Sequence, residues 1–135
     1  MKKIIKCKDT EFTIYVEDTD FQGVVYHSNY LKYFERSRSE FLFDSGISQR
    51  DLRDKNSAFV IKSIKINFIS AAQLGDQITV QSNVEKKSNA RMIFYQKIVD
   101  KISGNEFVNG QVEVCYINLL TKKPKKFPDD LLLIF

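Results

Sequence analysis

The sequence has no tryptophan, one histidine, two cysteines and two prolines in 135 residues. Each scarcity excludes something. Cys7 and Cys115 form no C-x-x-C pair, and with one histidine they leave no ligand set for zinc. Their spacing favours free thiols in a reducing compartment over a disulfide framework. The basic start at Met1, Lys2 and Lys3 is followed by no apolar run long enough for a signal peptide, and no window could span a bilayer. The expected location is the cytoplasm. Neither sign of charge dominates: 21 Lys and Arg against 17 Asp and Glu give +4. That excess suits an anionic small molecule and falls short of the dense basic face of a nucleic-acid binder. A P-loop, a dinucleotide fingerprint, a G-x-S-x-G elbow and a zinc motif are all missing. What remains is a single domain over residues 1–135, with 43% hydrophobic residues for one core.

The pattern that is present changes period along the chain. Phe12, Ile14 and Val16 alternate with polar neighbours, which predicts a strand with one face inward. It stops at the polar cluster Glu17-Asp18-Thr19-Asp20, and Gly23 supplies a permissive position in the turn that follows. Ser28 and Asn29 are both good N-cap residues. From Tyr30 to about Phe43 the apolar positions Tyr30, Leu31, Phe34, Phe41 and Leu42 recur at helical spacing, with Arg38 interrupting the stripe. Gly46 is a natural stop. Roughly 16 residues of helix would extend about 24 Å, enough to cross a small sheet.

Beyond a polar connection from Ile47 to Ser57, the period becomes two. Ile64-Ile66-Phe68, Ile78 to Val84, Arg91 to Val99 and Phe107 to Leu119 read as four strands, separated by turns at Leu74-Gly75-Asp76, Lys87-Ser88-Asn89 and Ser103-Gly104-Asn105. Arg91 to Val99 is apolar on both faces and should be central. Pro124 and Pro128 end the sheet. Leu131 to Phe135 is a greasy end for the body, a subunit neighbour or a membrane surface. A lone helix must bury its stripe against something. The expected class is therefore α+β, a five-stranded antiparallel sheet curved around one long central helix. Exposed sheet edges would be paired between subunits, giving at least a dimer.

The stretch D-T-D-x-x-G-V-V-Y-H-x-x-Y-L-x-Y-x-E-R-x-R-x-E-F, from Asp18 to Phe41, resembles the signature of hot-dog acyl-CoA thioesterases of the 4-hydroxybenzoyl-CoA thioesterase type. It is nearest the branch associated with the bacterial Tol-Pal envelope system. The L-G-D turn and the strand order extend the similarity over nearly the whole chain. The resemblance implies a hot-dog fold, a homodimer or homotetramer, acyl-CoA hydrolysis without metal or cofactor, coenzyme A being part of the substrate, and possible envelope or weak membrane contacts. It places the essential carboxylate at Asp20 and an assisting histidine at His27. It also implies an amide at the helix start, near Val25, Tyr26 and His27, that holds the thioester oxygen. Glu35 falls where some relatives line the acyl pocket. Some relatives carry tyrosine four residues before the essential Asp; here Val16 stands there, with Tyr15 adjacent on the opposite face.

Chemistry explains why these residue types belong together. Hydrolysis needs a group that attacks the carbonyl or activates water, and donors for the oxygen as it becomes negative. A helix N-terminus offers unpaired N–H groups and a positive dipole end. An ionised Asp20 could attack directly or serve as general base, and the sequence leaves both routes open. His27, kept neutral beside the helix start, would bond the carbonyl oxygen or orient water. Asp18, the competing carboxylate, reads as holding the turn. Glu35 could instead pair with Lys32 or Arg38. Lys86, Lys87 and Arg91 flank a turn and could reach the phosphates of coenzyme A; a solvated charged face is the rival. Two other readings stay open: an acyl-thioester dehydratase, whose proline-rich histidine motif has no match between Val24 and Tyr30, and a non-catalytic coenzyme A-binding or scaffold protein.

Overall fold

The computed structural model describes residues 3–135; the start at Met1 and Lys2 lies outside the described residues. The chain opens with β1 (Ile4–Lys6) and β2 (Thr10–Thr13), then two short 3-10 turns at Val16–Asp18 and His27–Asn29. The second turn runs directly into α1 (Tyr30–Asp44), followed by α2 (Gln49–Asp54). Four long strands come next: β3 (Ser57–Phe68), β4 (Gln77–Lys86), β5 (Arg91–Asp100) and β6 (Glu106–Asn118), with α3 (Asp129–Leu132) near the end.

All pairings between these strands are antiparallel, in the order β1-β4-β5-β6-β3, with β2 also on β4. The sheet therefore has six strands, not the expected five. The expected first strand is two short ones, interrupted at Cys7–Asp9, and both pair with β4. Val16 also leaves the sheet for a 3-10 turn. β3 begins at Ser57, earlier than its alternation indicated, and its register against β6 slips between Ile61 and Ser63.

The core lies between α1 and the inner face of β4, β5 and β6. Tyr33, Phe34, Phe41 and Leu42 of α1 pack with Ile78, Val80, Val84, Met92, Phe94, Ile98, Val108 and Val112. Gly110 is a point of close approach between β6, β3 and the helix. A Cβ there would sit 2.5 Å from the Lys65 carbonyl oxygen and 3.2 Å from the Phe34 ring. Its lack of a side chain lets the helix seat one aromatic ring against β6. Gly46, at φ +82°, ends the helix region in the left-handed conformation that glycine adopts freely.

The C-terminal residues fold back onto this body. Leu131 is fully buried, Phe127 lies 6.5 Å from the Phe135 ring, and Ile134 and Phe135 pack against the core. Among the described residues, no helix is long and apolar enough to cross a membrane.

Candidate active site

The stretch between β2 and α1 is tied down by backbone bonds at nearly every step. Ile14 donates to the Asp76 carbonyl at 2.9 Å, and Gly75 returns a bond to Ile14 at 3.0 Å, so the L-G-D turn braces the loop's entry. Asp18 then holds the first 3-10 turn. Its Oδ2 accepts from the Tyr15 N–H at 2.9 Å. Its carbonyl accepts from the Tyr26 N–H at 3.1 Å and from Asn29 Nδ2 at 2.8 Å. This is the turn-holding role read for Asp18. It also explains why Asn29 does not cap α1 with its side chain: that amide reaches back to the loop instead.

Residues 19–25 form a miniature hairpin. Thr19 bridges Val25, Asp20 donates to the Val24 carbonyl at 2.9 Å, and Gly23 donates to the Asp20 carbonyl at 3.0 Å. Gly23 has φ +79°, the turn conformation its lack of Cβ allows. The hairpin is docked onto residues 72–74: Val25 donates to Ala72 and Leu74 donates to Gly23, both at 2.9 Å. Asp20 is half-buried on this rigid base. Its Oδ1 accepts from the Gln22 N–H at 2.8 Å, which fixes the carboxylate and leaves further lone pairs for another donor.

His27 begins the second 3-10 turn and is exposed. Its ring lies 4.3 Å from the Tyr26 ring and edge-on to Phe68 at 6.3 Å. Tyr30 below it is buried and accepts from the Ala72 N–H at 3.1 Å; burial is the main cause that raises its phenol. The Asp20–Val24 and Asp18–Tyr26 bonds are two residues apart, roughly 7 Å along a strand. Asp20 and His27 thus stand at the two ends of one short ladder.

The three amides expected at the helix start are not equivalent. Val25 and Tyr26 already donate to carbonyls of Ala72 and Asp18. Among the described residues the His27 N–H makes no such bond. It precedes the first helical acceptor, as a free donor at a helix start should. Tyr15 and Val16 are both exposed, so neither side chain fills the position that tyrosine holds in some relatives.

The remaining expected site residues lie elsewhere. Glu35 stands apart from Asp20 but lines a separate cavity with Arg38; it is exposed, accepts from Ser39 Oγ at 2.6 Å and forms no ion pair with Lys32 or Arg38 among the described residues. Lys86, Lys87 and Arg91 sit at the β4–β5 turn, whose strands lead to Val60 and Cys115. His27 sits at the Phe68 end of β3. Eight residues separate Val60 from Phe68, roughly 26 Å of strand, so one chain does not bring that turn to Asp20. Glu113 also engages two of these cations, Lys87 at 2.7 Å and Arg91 at 3.9 Å. The bond from Lys87 is the main cause holding the Glu113 carboxyl below its usual range.

Sequence reasoning missed Phe68 as a wall of the mouth, since its alternation placed it simply on a core face. It also missed that Arg38 is buried and hydrogen-bonded to Gln96 at 3.0 Å. An arginine inside a helical apolar stripe was the available signal.

Comparison with known proteins identifies the family of the chain. Residues 14–135 match the thioesterase-like superfamily. The acyl-CoA thioesterase YbgC of Helicobacter pylori (strain ATCC 700392 / 26695) is 40% identical over 122 residues, covering 85% of this chain and 90% of that protein. The acyl-CoA thioester hydrolase YbgC of Escherichia coli O157:H7 is 32% identical over 123 residues, covering 90% of each. A probable thioesterase from Bartonella henselae superposes with a TM-score of 0.82 at 36% identity, covering 90% of this chain and 98% of that one. The 1,4-dihydroxy-2-naphthoyl-CoA thioesterase Slr0204 from Synechocystis has a TM-score of 0.88 at 21% identity over 96% and 93% of the two chains, a likeness of fold alone.

Proposed function

The chain belongs to the thioesterase-like superfamily and is an acyl-CoA thioester hydrolase, and from that premise we propose how its residues divide the work. Asp20 is the catalytic carboxylate. It attacks the thioester carbonyl or takes a proton from the attacking water, and the coenzyme A thiolate leaves. The His27 N–H, at the positive end of α1, stabilises the oxygen that becomes negative. The His27 side chain bonds the same oxygen or orients water. Val25 and Tyr26 act by holding the loop, since their amides are already engaged.

The observation that carries this reading is the docked hairpin. It fixes Asp20 and the free His27 amide on one rigid piece of backbone, with the Val25 and Tyr26 amides between them engaged. Preorganised donors of this kind are worth about 10²–10³ in rate each.

The working form is a homo-oligomer built on β3. This strand is an unpaired edge of 12 residues, and its inner-face residues Ile61, Ile64 and Phe68 are exposed. Antiparallel pairing of two β3 edges would cover them. It would also bring the Lys86–Arg91 turn of one subunit toward the Phe68 end of the other, where these cations could meet the phosphates of coenzyme A. The expected absence of a cofactor belongs to the same proposal.

A panel of acyl-CoAs with a thiol reagent tests the reading. Free thiol that depends on Asp20 is the expected result. A 3-hydroxyacyl substrate turning into enoyl product without thiol would make the chain a dehydratase. Coenzyme A bound with no acyl-CoA cleaved would make it a binding protein.

A further inference from the structure

Arg38 is 7% exposed, on the inner face of α1 two turns past its start. It belongs to a closed polar network. Its Nη1 donates to Gln96 Oε1 at 3.0 Å, and Gln96 Nε2 donates to the Phe34 carbonyl at 3.1 Å and to Ser82 Oγ at 3.0 Å. Ser37 and Ser82 share a further bond at 3.3 Å. The network fixes Gln96 and thereby aims the guanidinium. A guanidinium carries five N–H donors, and Gln96 takes one. Among the described residues no carboxylate oxygen lies within ion-pair distance of Arg38. Burial lowers its pKa to about 10, while the nearby Glu35 carboxylate opposes the shift, so it stays cationic at neutral pH. A buried charge without a partner is unfavourable unless something supplies one.

That something has room. Arg38 lines a cavity of about 170 Å³ whose wall is apolar at Phe59, Ile61, Met92 and Val114 and carries charge of both signs at Glu35 and Arg53. At roughly 30 Å³ per water-sized group, the cavity holds the end of a short chain. Eight residues of helix separate Arg38 from Tyr30, about 12 Å along the axis.

We propose that Arg38 is a specificity-determining residue: the cavity receives the far end of an acyl group that carries an oxygen acceptor, foremost a carboxylate, in preference to a plain alkyl end. This rests on the thioesterase reading. The apolar walls take the methylene carbons and the spare guanidinium donors take the oxygens, as a fork matched to a carboxylate. A methyl group in the same place would leave the buried cation unpaired.

The test compares suberyl-CoA with octanoyl-CoA, chains of equal length ending in carboxylate or methyl. The wild-type protein should favour suberyl-CoA in kcat/KM by at least about tenfold, the worth of one charged hydrogen bond. Arg38→Gln should lose roughly 10- to 100-fold on suberyl-CoA with octanoyl-CoA little changed, and Arg38→Lys should keep part of the preference. No preference in the wild type, or equal loss on both substrates, overturns the proposal. If Arg38→Gln fails to fold, Arg38→Lys decides: a smaller loss confined to suberyl-CoA supports the proposal, and an equal loss on both substrates overturns it. If neither thioester is cleaved, the hydrolase reading is what fails, and free suberate then tests Arg38 by itself. Suberate that raises the melting temperature of the wild type more than that of Arg38→Lys supports it, and no rise in the wild type overturns it.

Discussion

The two margins of the sheet are built on opposite plans. On the β4 side the edge is broken into β1 and β2, with three residues between them out of the ladder. Short interrupted strands are a common way to blunt an edge against further pairing. On the other side β3 runs for 12 residues, and Ile61, Ile64, Phe68 and Ile69 stay between 37% and 54% exposed. One edge is short and interrupted, and the other is long and open. The candidate site lies at the open side: His27 and Tyr30 pack against Phe68, at the end of β3. A carboxylate near that end and a carboxylate on the blunt edge should therefore behave very differently.

The largest effect expected is on chemistry. Asp20→Asn should lower kcat by about 10²–10⁴-fold with the melting temperature unchanged, while Glu11→Gln on β2 should leave kcat alone. Thiol release from matched preparations measures both, and an active Asp20→Asn enzyme would remove the carboxylate from the mechanism. Next comes assembly. Ile64→Asp on the open edge should yield monomers in sedimentation velocity and lose activity with them; an intact oligomer would show that subunits meet elsewhere.

Gly110→Ala tests the covered half of the sheet. The new methyl must displace backbone or the Phe34 ring, which should cost about 1–3 kcal/mol by chemical denaturation. Wild-type stability would mean that helix and sheet can separate without penalty. A smaller change is expected from Lys87→Ala with Arg91→Ala: KM should rise about two- to fivefold with kcat constant, because the role proposed for the pair is at a phosphate and not at the reacting atoms. The smallest effect concerns the core next to the blunt edge. Burial pushes the Cys7 thiol up to about 11, and both cysteines are buried and free. At pH 8 neither should react quickly with the thiol reagent, which keeps the background of the activity assay low. Because the folded-state pKa of Cys7 is raised, its contribution to stability is present below the ordinary thiol range. It fades as pH climbs through about 11, and Cys7→Ser should flatten that alkaline loss in a melting series.

Much of this was legible in order of strength of pattern. The α1 stripe, its stop at Gly46, and the strands at β4, β5 and β6 follow from side-chain period, because a helix or a paired strand imposes that period on whatever must face the core. The D-T-D to E-F motif pointed to the family and to Asp20 and His27. Other features depended on contacts between segments far apart in sequence. The split of the first strand, the docking of the hairpin on Ala72 and Leu74, and the commitment of the Val25 and Tyr26 amides leave no local trace, since any residue can donate its own N–H.

The order of residues thus determined which elements form, which face of each is apolar, and which side chains are chemically able to act. Only the folded chain decided which amides remain free at the helix start, that Lys87 and Arg91 share Glu113 at the far end of the sheet, and that Arg38 lies buried beside a cavity. The reason is one of range. Periodicity records each residue's preference for core or water along its own element, whereas a hydrogen-bond partner or an unpaired charge is defined by what another element brings to the same place.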